Sequence, residues 1–188
     1  MKVAVIGGGN IGGSLGEMWQ AAGHDVVYGL RDPSKKPGAR SIGDALKDAD
    51  AVLLAVPGSA VQQVVHEHAK DLDGKVVIDA TNNFAGPSNH QWQLIAAECP
   101  RAQLNRAFNT YGFDVFVNPM VGGQKPDMFY AGPEESRETV EKLISDVGLN
   151  PVRVGGPEAV DTVDGVLKLW LTLARRLGRH IAFKLLTD

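Results

Sequence analysis

Short apolar runs alternate along this chain with stretches in which apolar residues recur every three or four positions. The apolar runs are rich in β-branched residues and predict buried parallel strands. They lie at residues 2–6, 25–28, 51–56, 75–79, 103–108, 128–130 and 151–154. The stretches between them predict helices at residues 11–22, 44–48, 57–70, 89–98, 134–147 and 158–181. This alternation predicts an α/β fold, a doubly wound and mostly parallel sheet with helices on both faces.

The first predicted strand runs directly into a glycine-rich turn. Gly7, Gly9 and Gly12 fit the pattern G-x-G-x-x-G, in which the first glycine allows the tight turn and the second allows backbone to approach a pyrophosphate. The third glycine lets the following helix pack closely on the sheet. Asn10 and Ile11 open that helix, whose N-terminus offers unpaired N–H groups to an anion. The turn therefore predicts a Rossmann-type dinucleotide site; the alternative is a strand-helix turn that binds no ligand.

The last predicted helix is apolar over a broad surface. Leu169 and Leu173 widen the apolar stripe, and the helix either continues to residue 181 or breaks near Gly178. Such a helix must be buried on the sheet or on another subunit. We therefore expect a Rossmann-type NADP-binding domain over residues 1–155 and a helical extension over residues 156–188 that packs on it as one compact unit. We also expect a homodimer through this helix.

Residues 109–126 form a long stretch rich in glycine and asparagine, with no clear periodicity. Irregular segments of this length inside a compact protein usually carry function. Its aromatic residues Tyr111, Phe113 and Phe116 are expected to be exposed. The segment is thus a candidate wall for a substrate pocket.

Composition and charge exclude several classes of partner. The chain of 188 residues carries 19 basic and 22 acidic side chains, for a net charge of −3, without the clustered basic surface of a nucleic-acid-binding protein. Its apolar runs are too short to cross a membrane, and we expect neither a membrane partner nor a signal peptide. Cys99 is the single cysteine and forms no intrachain disulfide. A cytoplasmic location is expected.

The end of the second predicted strand favours NADP over NAD. Sites that prefer NAD usually place Asp or Glu there to bind the ribose 2′-hydroxyl, whereas this strand ends Tyr28-Gly29-Leu30. Arg31 follows and can bind a 2′-phosphate through its planar fork, with Lys35 and Lys36 in the same loop. Asp32 lies past the expected strand end and before a proline, where a turn role is favoured.

Several separate motifs resemble one family. They are the segments 6–12, 23–31, 55–57, 79–82, 107–110, 122–124, 127–130 and 178–183. Together they resemble the NADPH:coenzyme F420 oxidoreductases, in particular the short bacterial members, to which the cytosolic domain of the six-transmembrane metalloreductases is related. The resemblance spans essentially the whole chain.

This resemblance implies a Rossmann-type domain with a small C-terminal part, usually dimeric. It implies that NADPH lies at the strand ends with its nicotinamide facing a pocket for a deazaflavin. The family commonly has Ser-Arg after the second strand, with both residues on the 2′-phosphate. This chain has Leu30-Arg31, so the arginine carries over and the hydroxyl contact does not. A weaker preference for NADP than is usual for the family follows.

Hydride transfer between two flat rings needs proximity and orientation more than an acid-base residue. No Ser/His/Asp or Cys/His arrangement stands out, and we predict no catalytic side chain and no metal site. The remaining predicted cofactor-binding residues, several of them at the nicotinamide end, are Ala55, Val56, Pro57, Ala80, Thr81 and Asn82. Asn109, Thr110 and Met120 are predicted to line the acceptor pocket, although turn capping by the two asparagines and packing by Met120 are the alternatives.

Three functions stay open from the sequence. The first is an NADPH-dependent oxidoreductase whose small-molecule acceptor is coenzyme F420, a flavin or a quinone. The second is a reductase of imines or of hydroxy or keto acids, which generally needs a catalytic lysine or a large helical domain. The third is a non-catalytic NADPH-binding sensor. Among the other polar residues, His24 is expected to make a local hydrogen bond, and Arg175, Arg176 and Arg179 to form a solvated helix face or to meet a deazaflavin tail.

Overall fold

The computed structural model describes residues 1–187 and is built around a seven-stranded sheet. Its strands are β1 (Lys2–Ile6), β2 (Asp25–Gly29), β3 (Ala51–Leu54), β4 (Val76–Asp79), β5 (Gln103–Arg106), β6 (Asp127–Ala131) and β7 (Asn150–Gly155). They lie in the order β2-β1-β3-β4-β5-β6-β7, and every neighbouring pair is parallel except β5 and β6. The order reverses between β1 and β3, so the predicted doubly wound Rossmann-type fold is confirmed. Ligands of such sheets bind at this switch point.

Helices cover both faces of the sheet. They are α1 (Asn10–Ala21), α2 (Ile42–Leu46), α3 (Val61–Leu72), α4 (Trp92–Glu98), α5 (Phe113–Val117), α6 (Arg137–Asp146) and α7 (Val160–Leu177). Successive residues of β1 point to opposite faces: Val3 and Val5 join a core with α1, α5, α6 and α7, whereas Ala4 and Ile6 join a core with α2, α3 and α4. This alternation explains why the strand reads as continuously apolar.

Strand β5 and helix α7 end earlier than expected, each with a residue of positive φ close after its end. Strand β5 stops at Arg106, before the predicted end at residue 108, because Phe108 adopts φ +60°, which an extended strand cannot accommodate. Helix α7 stops at Leu177, because Gly178 takes φ +87° and turns the chain away. The helix therefore ends near Gly178, the point at which a break was predicted.

The aromatic residues of the segment 109–126 are not exposed, contrary to the prediction. Tyr111 is buried and its hydroxyl donates to the Asp127 carbonyl at 2.6 Å. Phe116 is fully buried on α5 and packs edge-on against Phe108, which in turn packs edge-on against Trp19. Phe113 is half-buried. The segment is anchored to the core by these rings, so its irregular composition does not mean an open surface loop.

The residues after α7 run back over the molecule. Trp170 Nε1 donates to the Ile181 carbonyl at 2.9 Å, the Asp127 amide donates to the Phe183 carbonyl at 3.0 Å, and Lys184 Nζ lies 2.7 Å from Asp127 Oδ1. The predicted extension over residues 156–188 thus packs on the sheet as far as it is described; Asp188 lies outside the described residues. The division at residue 155 stays a prediction. Within residues 1–187, no helix combines the length and apolarity needed to cross a bilayer.

Candidate functional site

The glycine-rich turn lies at the carboxyl end of β1, beside the switch point. Gly7 has φ +111°, and a Cβ there would overlap the Ala55 carbonyl oxygen at the end of β3. A Cβ on Gly12 would overlap the Gly7 carbonyl oxygen, so only glycine lets α1 lie this close to the turn. By contrast, no atom lies within 4 Å of a Cβ placed on Gly9. The backbone is therefore open to an anionic ligand on the side of Gly9.

Helix α1 begins directly at this opening. Its N-cap is Gly9, which has no side chain to bond the first amides. Asn10 is exposed at the helix start, whereas Ile11 is half-buried and packs on the core. No side chain caps the first N–H groups of α1, as a pyrophosphate site requires.

Basic side chains line a cleft next to the turn. The cleft has a volume of about 480 Å³ and is lined by Gly8, Leu30, Arg31, Asp32, Lys35, Lys36 and Pro57. Arg31 and Lys35 are exposed, and Lys36 Nζ lies 4.2 Å from the centre of the Tyr28 ring. Three cations thus converge where the second strand ends. Such a set favours a phosphate ligand.

Asp32, the one carboxylate of this cleft, is engaged in its own turn. Its Oδ1 accepts from the Ser34 hydroxyl at 2.7 Å and from the Ser34 amide at 3.2 Å. These hydrogen bonds lower the pKa of the Asp32 carboxyl below its usual value. The structure therefore gives Asp32 the turn role that its position predicts.

A second, more apolar cleft adjoins the first. It has a volume of about 180 Å³, and its lining includes Gly29, Leu30, Ile42, Val56, Pro57 and Val64. An apolar slot beside a cationic cleft fits a flat base with a phosphorylated ribose. Val56 and Pro57 thus line the same cleft as Leu30 and Arg31. The assignment of Val56 and Pro57 to the nicotinamide end stays a prediction.

A buried polar network lies at the carboxyl ends of β4 and β5, beyond the glycine turn. Its centre is Arg106, which is completely buried. The guanidinium donates to Asp79 Oδ2 (3.1 Å), the Thr81 carbonyl (2.5 Å), Asn82 Oδ1 (2.9 Å) and Asp164 Oδ1 (2.9 Å). Asp79 Oδ1 in turn accepts from the Thr81 amide and hydroxyl. Charge-assisted bonds from a planar fork make this a rigid junction.

The predicted residues Asn82 and Asn109 meet in this network. Asn82 Nδ2 donates to the Asn109 carbonyl at 2.8 Å, and Asn109 Nδ2 donates to Asp164 Oδ1 at 3.0 Å. Asn109 Oδ1 and Thr110 Oγ1 are buried and have no hydrogen-bond partner. Ala80 is buried beside them, whereas Met120 is 46% exposed and lies outside the network. The structure thus brings together Thr81, Asn82 and Asn109, but not Met120.

Sequence reasoning missed Arg106 and Asp164. Two signals were present: an arginine inside an otherwise buried strand, and an aspartate within the apolar stripe of the last helix. Charged residues are rarely buried unless they are paired, so Arg106 and Asp164 each indicated a buried partner of opposite charge. The pairing of Arg106 with Asp79 follows from the parallel register of β4 and β5, which places them opposite each other.

The histidines have structural partners. The His24 amide donates to the Trp19 carbonyl at 2.9 Å, the expected local bond, and its Nε2 lies 2.7 Å from Asp146 Oδ2 on α6. Burial favours a higher pKa for Asp146, but hydrogen bonds from Lys142 and His24 outweigh it and hold the pKa below its usual value. Arg179 bonds Asp114 at 3.1 Å. Within residues 1–187, no three His, Cys, Asp or Glu side chains converge as a metal site.

The fold and the open glycine turn define a dinucleotide-binding protein of the Rossmann class. Residues 2–83 match the sequence profile of the family described as "NADP oxidoreductase coenzyme F420-dependent". The resemblance to this family is thereby confirmed, and the matched segment runs from β1 to just past β4.

Solved structures share the fold of this chain, and curated proteins are similar to part of its sequence. A protein of Arthrobacter sp. FB24, proposed to be an F420-dependent NADP reductase, has a TM-score of 0.86 and 22% identity, with 100% of each chain covered. The hypothetical protein SMa0349 of Sinorhizobium meliloti has a TM-score of 0.71 and 26% identity, covering 100% of this chain and 96% of that one.

Among curated proteins, the glycerol-3-phosphate dehydrogenase [NAD(P)+] of Gloeobacter violaceus is 32% identical over 111 residues, 56% of this chain and 35% of the relative. The chain spans about a third of the length of the curated relatives it matches. By sequence and fold it is thus related to NAD(P)-dependent oxidoreductases.

Proposed function

We propose that this protein is an NADPH-dependent oxidoreductase that transfers a hydride between NADP(H) and coenzyme F420 or a flavin-like acceptor. The observation that carries the proposal is the cleft beside the glycine turn. Arg31, Lys35 and Lys36 converge there, and the end of β2 carries no carboxylate. A ribose 2′-phosphate suits this set, and a free 2′-hydroxyl does not.

The nucleotide is proposed to lie along the carboxyl edge of the sheet. Its pyrophosphate would rest on the open side of Gly9 and the first amides of α1, with the adenine base in the apolar slot lined by Val56 and Val64. In this arrangement Val56 serves the adenosine end and not the nicotinamide end. Arg31 would bind the 2′-phosphate. Leu30 has no hydroxyl that could donate a further hydrogen bond to this phosphate, so the preference for NADPH over NADH is expected to be moderate.

Hydride transfer requires this chain to position the two reacting rings. When bound, NADPH supplies the hydride and the deazaflavin or flavin ring accepts it. The residues at the ends of β4 and β5 would orient the rings and exclude water, which lowers the barrier through proximity. No acid-base side chain is required at the reacting carbons, in keeping with a network of Thr81, Asn82 and Asn109 that is rigid and hydrogen-bonded.

The proposals for the acceptor and for the assembly rest on the family description and on the exposed residues of α7. The family description names coenzyme F420, and Asn109, Thr110 and the segment to Met120 remain the proposed acceptor pocket. A homodimer through α7 is proposed because Leu169 is 52% and Leu177 66% exposed on that helix. We retain the cytoplasmic location as a proposal.

Two binding and turnover measurements test this function. NADPH binding is measured by isothermal titration, and turnover is measured by mixing purified protein with NADPH and oxidised coenzyme F420, FMN, an imine or a keto acid and following the absorbance of NADPH. Hydride transfer within seconds supports the proposal. NADPH binding with no turnover of any acceptor would instead favour the sensor, and oxidation only with an imine or keto acid would favour the other reductase.

The cationic cleft gives a first testable prediction. Arg31→Ala should weaken NADPH binding about 10- to 100-fold and leave NADH affinity within about twofold, because one charge-assisted contact to the 2′-phosphate is lost. Isothermal titration measures both affinities. Arg101→Ala is the matched control, since Arg101 is an exposed arginine paired with Asp73 away from the cleft. Equal loss of both nucleotides in the Arg31 variant would contradict the role of this side chain.

A further inference from the structure

Arg106 joins three separate parts of the chain at one guanidinium. It is fully buried at the end of β5, and it bonds Asp79 and Thr81 after β4, Asn82 in the following loop, and Asp164 on α7. Most buried ion pairs join two residues. Here the acceptors include two carboxylates, two backbone carbonyls and one side-chain amide, more than the burial of one charge requires.

The network fixes the orientation of the Asn109 amide. Its Nδ2 lies 3.0 Å from a carboxylate oxygen of Asp164, so the nitrogen must face that oxygen because two oxygens would repel each other. Asn109 Oδ1 therefore points the other way, and it is buried without a partner. An oxygen in that position can only accept a hydrogen bond, and a buried acceptor without a donor is costly.

The backbone before Asn109 is held in a strained conformation. Phe108 has φ +60°, which is uncommon for a residue with a large side chain, and its ring is locked between Trp19 and Phe116. Strain of this kind persists where the surrounding packing imposes it, commonly next to functional groups. It sets the direction in which Asn109 and Thr110 leave the strand.

We propose that Arg106 is the positioning residue for the nicotinamide end of the bound nucleotide. This inference rests on the proposed function. Arg106 fixes Asn82 directly and Asn109 through Asp164, and it leaves Asn109 Oδ1 free to accept from an N–H donor on the ligand. The carboxamide of nicotinamide is a donor of this class. Helix α7 is thus part of the site, because it supplies the carboxylate that orients Asn109.

The test separates the two ends of the nucleotide. Adenosine 2′,5′-bisphosphate carries the adenosine and the 2′-phosphate but no nicotinamide, so its affinity reports the cationic cleft alone. The affinity of NADPH and the anisotropy of its nicotinamide fluorescence report the other end. Both ligands are titrated into the wild type, Arg106→Lys and Asp164→Ala, with thermal unfolding followed by circular dichroism to establish that each variant folds.

The two variants perturb the network differently. Lysine keeps the charge but has one ammonium group, which cannot reach all the acceptors that the fork reaches. Asp164→Ala removes the oxygen to which Asn109 Nδ2 donates and leaves Arg106 paired with Asp79, so it strands no buried charge and tests the proposal even where Arg106→Lys does not fold. Arg153→Lys is the matched control, because Arg153 lies on β7 and donates to the Gly132 carbonyl at 2.9 Å.

Five outcomes decide the proposal. We expect unchanged bisphosphate binding and a fall of about tenfold or more in NADPH affinity, with lower anisotropy, in the folded Arg106 and Asp164 variants. Unchanged NADPH affinity in these variants would mean that Arg106 only stabilises the fold, which overturns the inference. An equal loss of affinity for both ligands, or the same loss of NADPH affinity in Arg153→Lys, would also overturn it. If the wild type binds neither ligand, the proposed function itself fails, and the inference fails with it.

Discussion

At the scale of single residues, Leu30 is where this chain departs from the pattern of the family that it resembles. Its side chain lies between the apolar slot and the cationic cleft and would meet a Cβ on Gly8 at 3.3 Å. Leu30→Ser should raise the ratio of NADPH to NADH affinity by about tenfold, because the hydroxyl adds a bond to a charged phosphate. Titration of both nucleotides measures the ratio. Leu30→Ala is the control that removes the leucine without adding a hydroxyl, and an equal rise in that variant would refute the explanation.

Cys99 offers a second prediction at this scale. Burial, reinforced by the nearby carboxylates of Asp73 and Glu98, raises the pKa of its thiol to about 11. Because the thiolate is the reactive form, Cys99 should not react with a disulfide reagent at pH 7 in the folded protein and should react fully in guanidinium chloride. The release of the coloured thiol product is measured in both conditions. Stoichiometric labelling of the folded protein within minutes would disprove it.

The residues of the site differ in whether their roles can be predicted from the sequence. The roles of Gly7, Gly9 and Gly12 follow from spacing, since each serves a local backbone geometry. Arg106 could not be assigned in the same way, because its partners lie 24 to 58 positions away and meet it only after β4, β5 and α7 have packed. A role that depends on local backbone geometry can be predicted from neighbouring residues, whereas a pairing between residues distant in the sequence cannot.

At the scale of elements, Asp127 anchors the residues after α7 to the start of β6. Burial favours a higher pKa for this carboxyl, but bonds from Lys184, the Leu185 amide and Asn150 outweigh it and keep the pKa below its usual value. A carboxyl whose pKa is lowered by folding stabilises the folded state fully above its unfolded pKa of about 3.9, and this contribution is lost as pH falls below that value. The anchor should therefore weaken only in acid.

Asp127→Asn should remove this anchor at neutral pH. The Phe183 and Leu185 amides, bonded to the Tyr111 hydroxyl and to Asp127, are expected to exchange with deuterium about tenfold faster in the variant, because a charged acceptor is replaced by a neutral one. Exchange at pH 7 followed by NMR checks this. Asp73→Asn, which removes another carboxyl with a lowered pKa far from this segment, is the control. Equal protection in Asp127→Asn and wild type would contradict the anchor.

Most elements were predictable because the buried strands read as continuous apolar runs and the helices repeat apolar residues every three or four positions. Helix α5 (Phe113–Val117) was missed, since five residues are too few to display a helical period. The antiparallel pairing of β5 and β6 was not predicted either. It rests on the pairing of Arg106 with Ala131, which no local pattern encodes.

At the scale of the whole molecule, α7 couples the site to the rest of the fold. Its Asp164 completes the Arg106 network, while Val163, Leu167 and Trp170 are buried against the sheet. Side chains of this size contribute about 1.5–3 kcal/mol each when fully buried. Their sum is comparable with the total stability of a typical domain, about 5–15 kcal/mol.

A chain shortened to residues 1–156 should therefore fail to fold cooperatively. It would lose the buried face of α7 and leave Arg106 with one carboxylate, although all seven strands remain. Urea unfolding followed by circular dichroism measures this, and a chain shortened to residues 1–178, which keeps α7, is the control expected to unfold cooperatively. A sharp transition in the 1–156 chain would make residues 1–155 a self-sufficient domain with an appended helix. A broad, non-cooperative change would instead make the extension an integral part of the nucleotide-binding fold, because the same helix would then hold both the core and the acceptor side of the site.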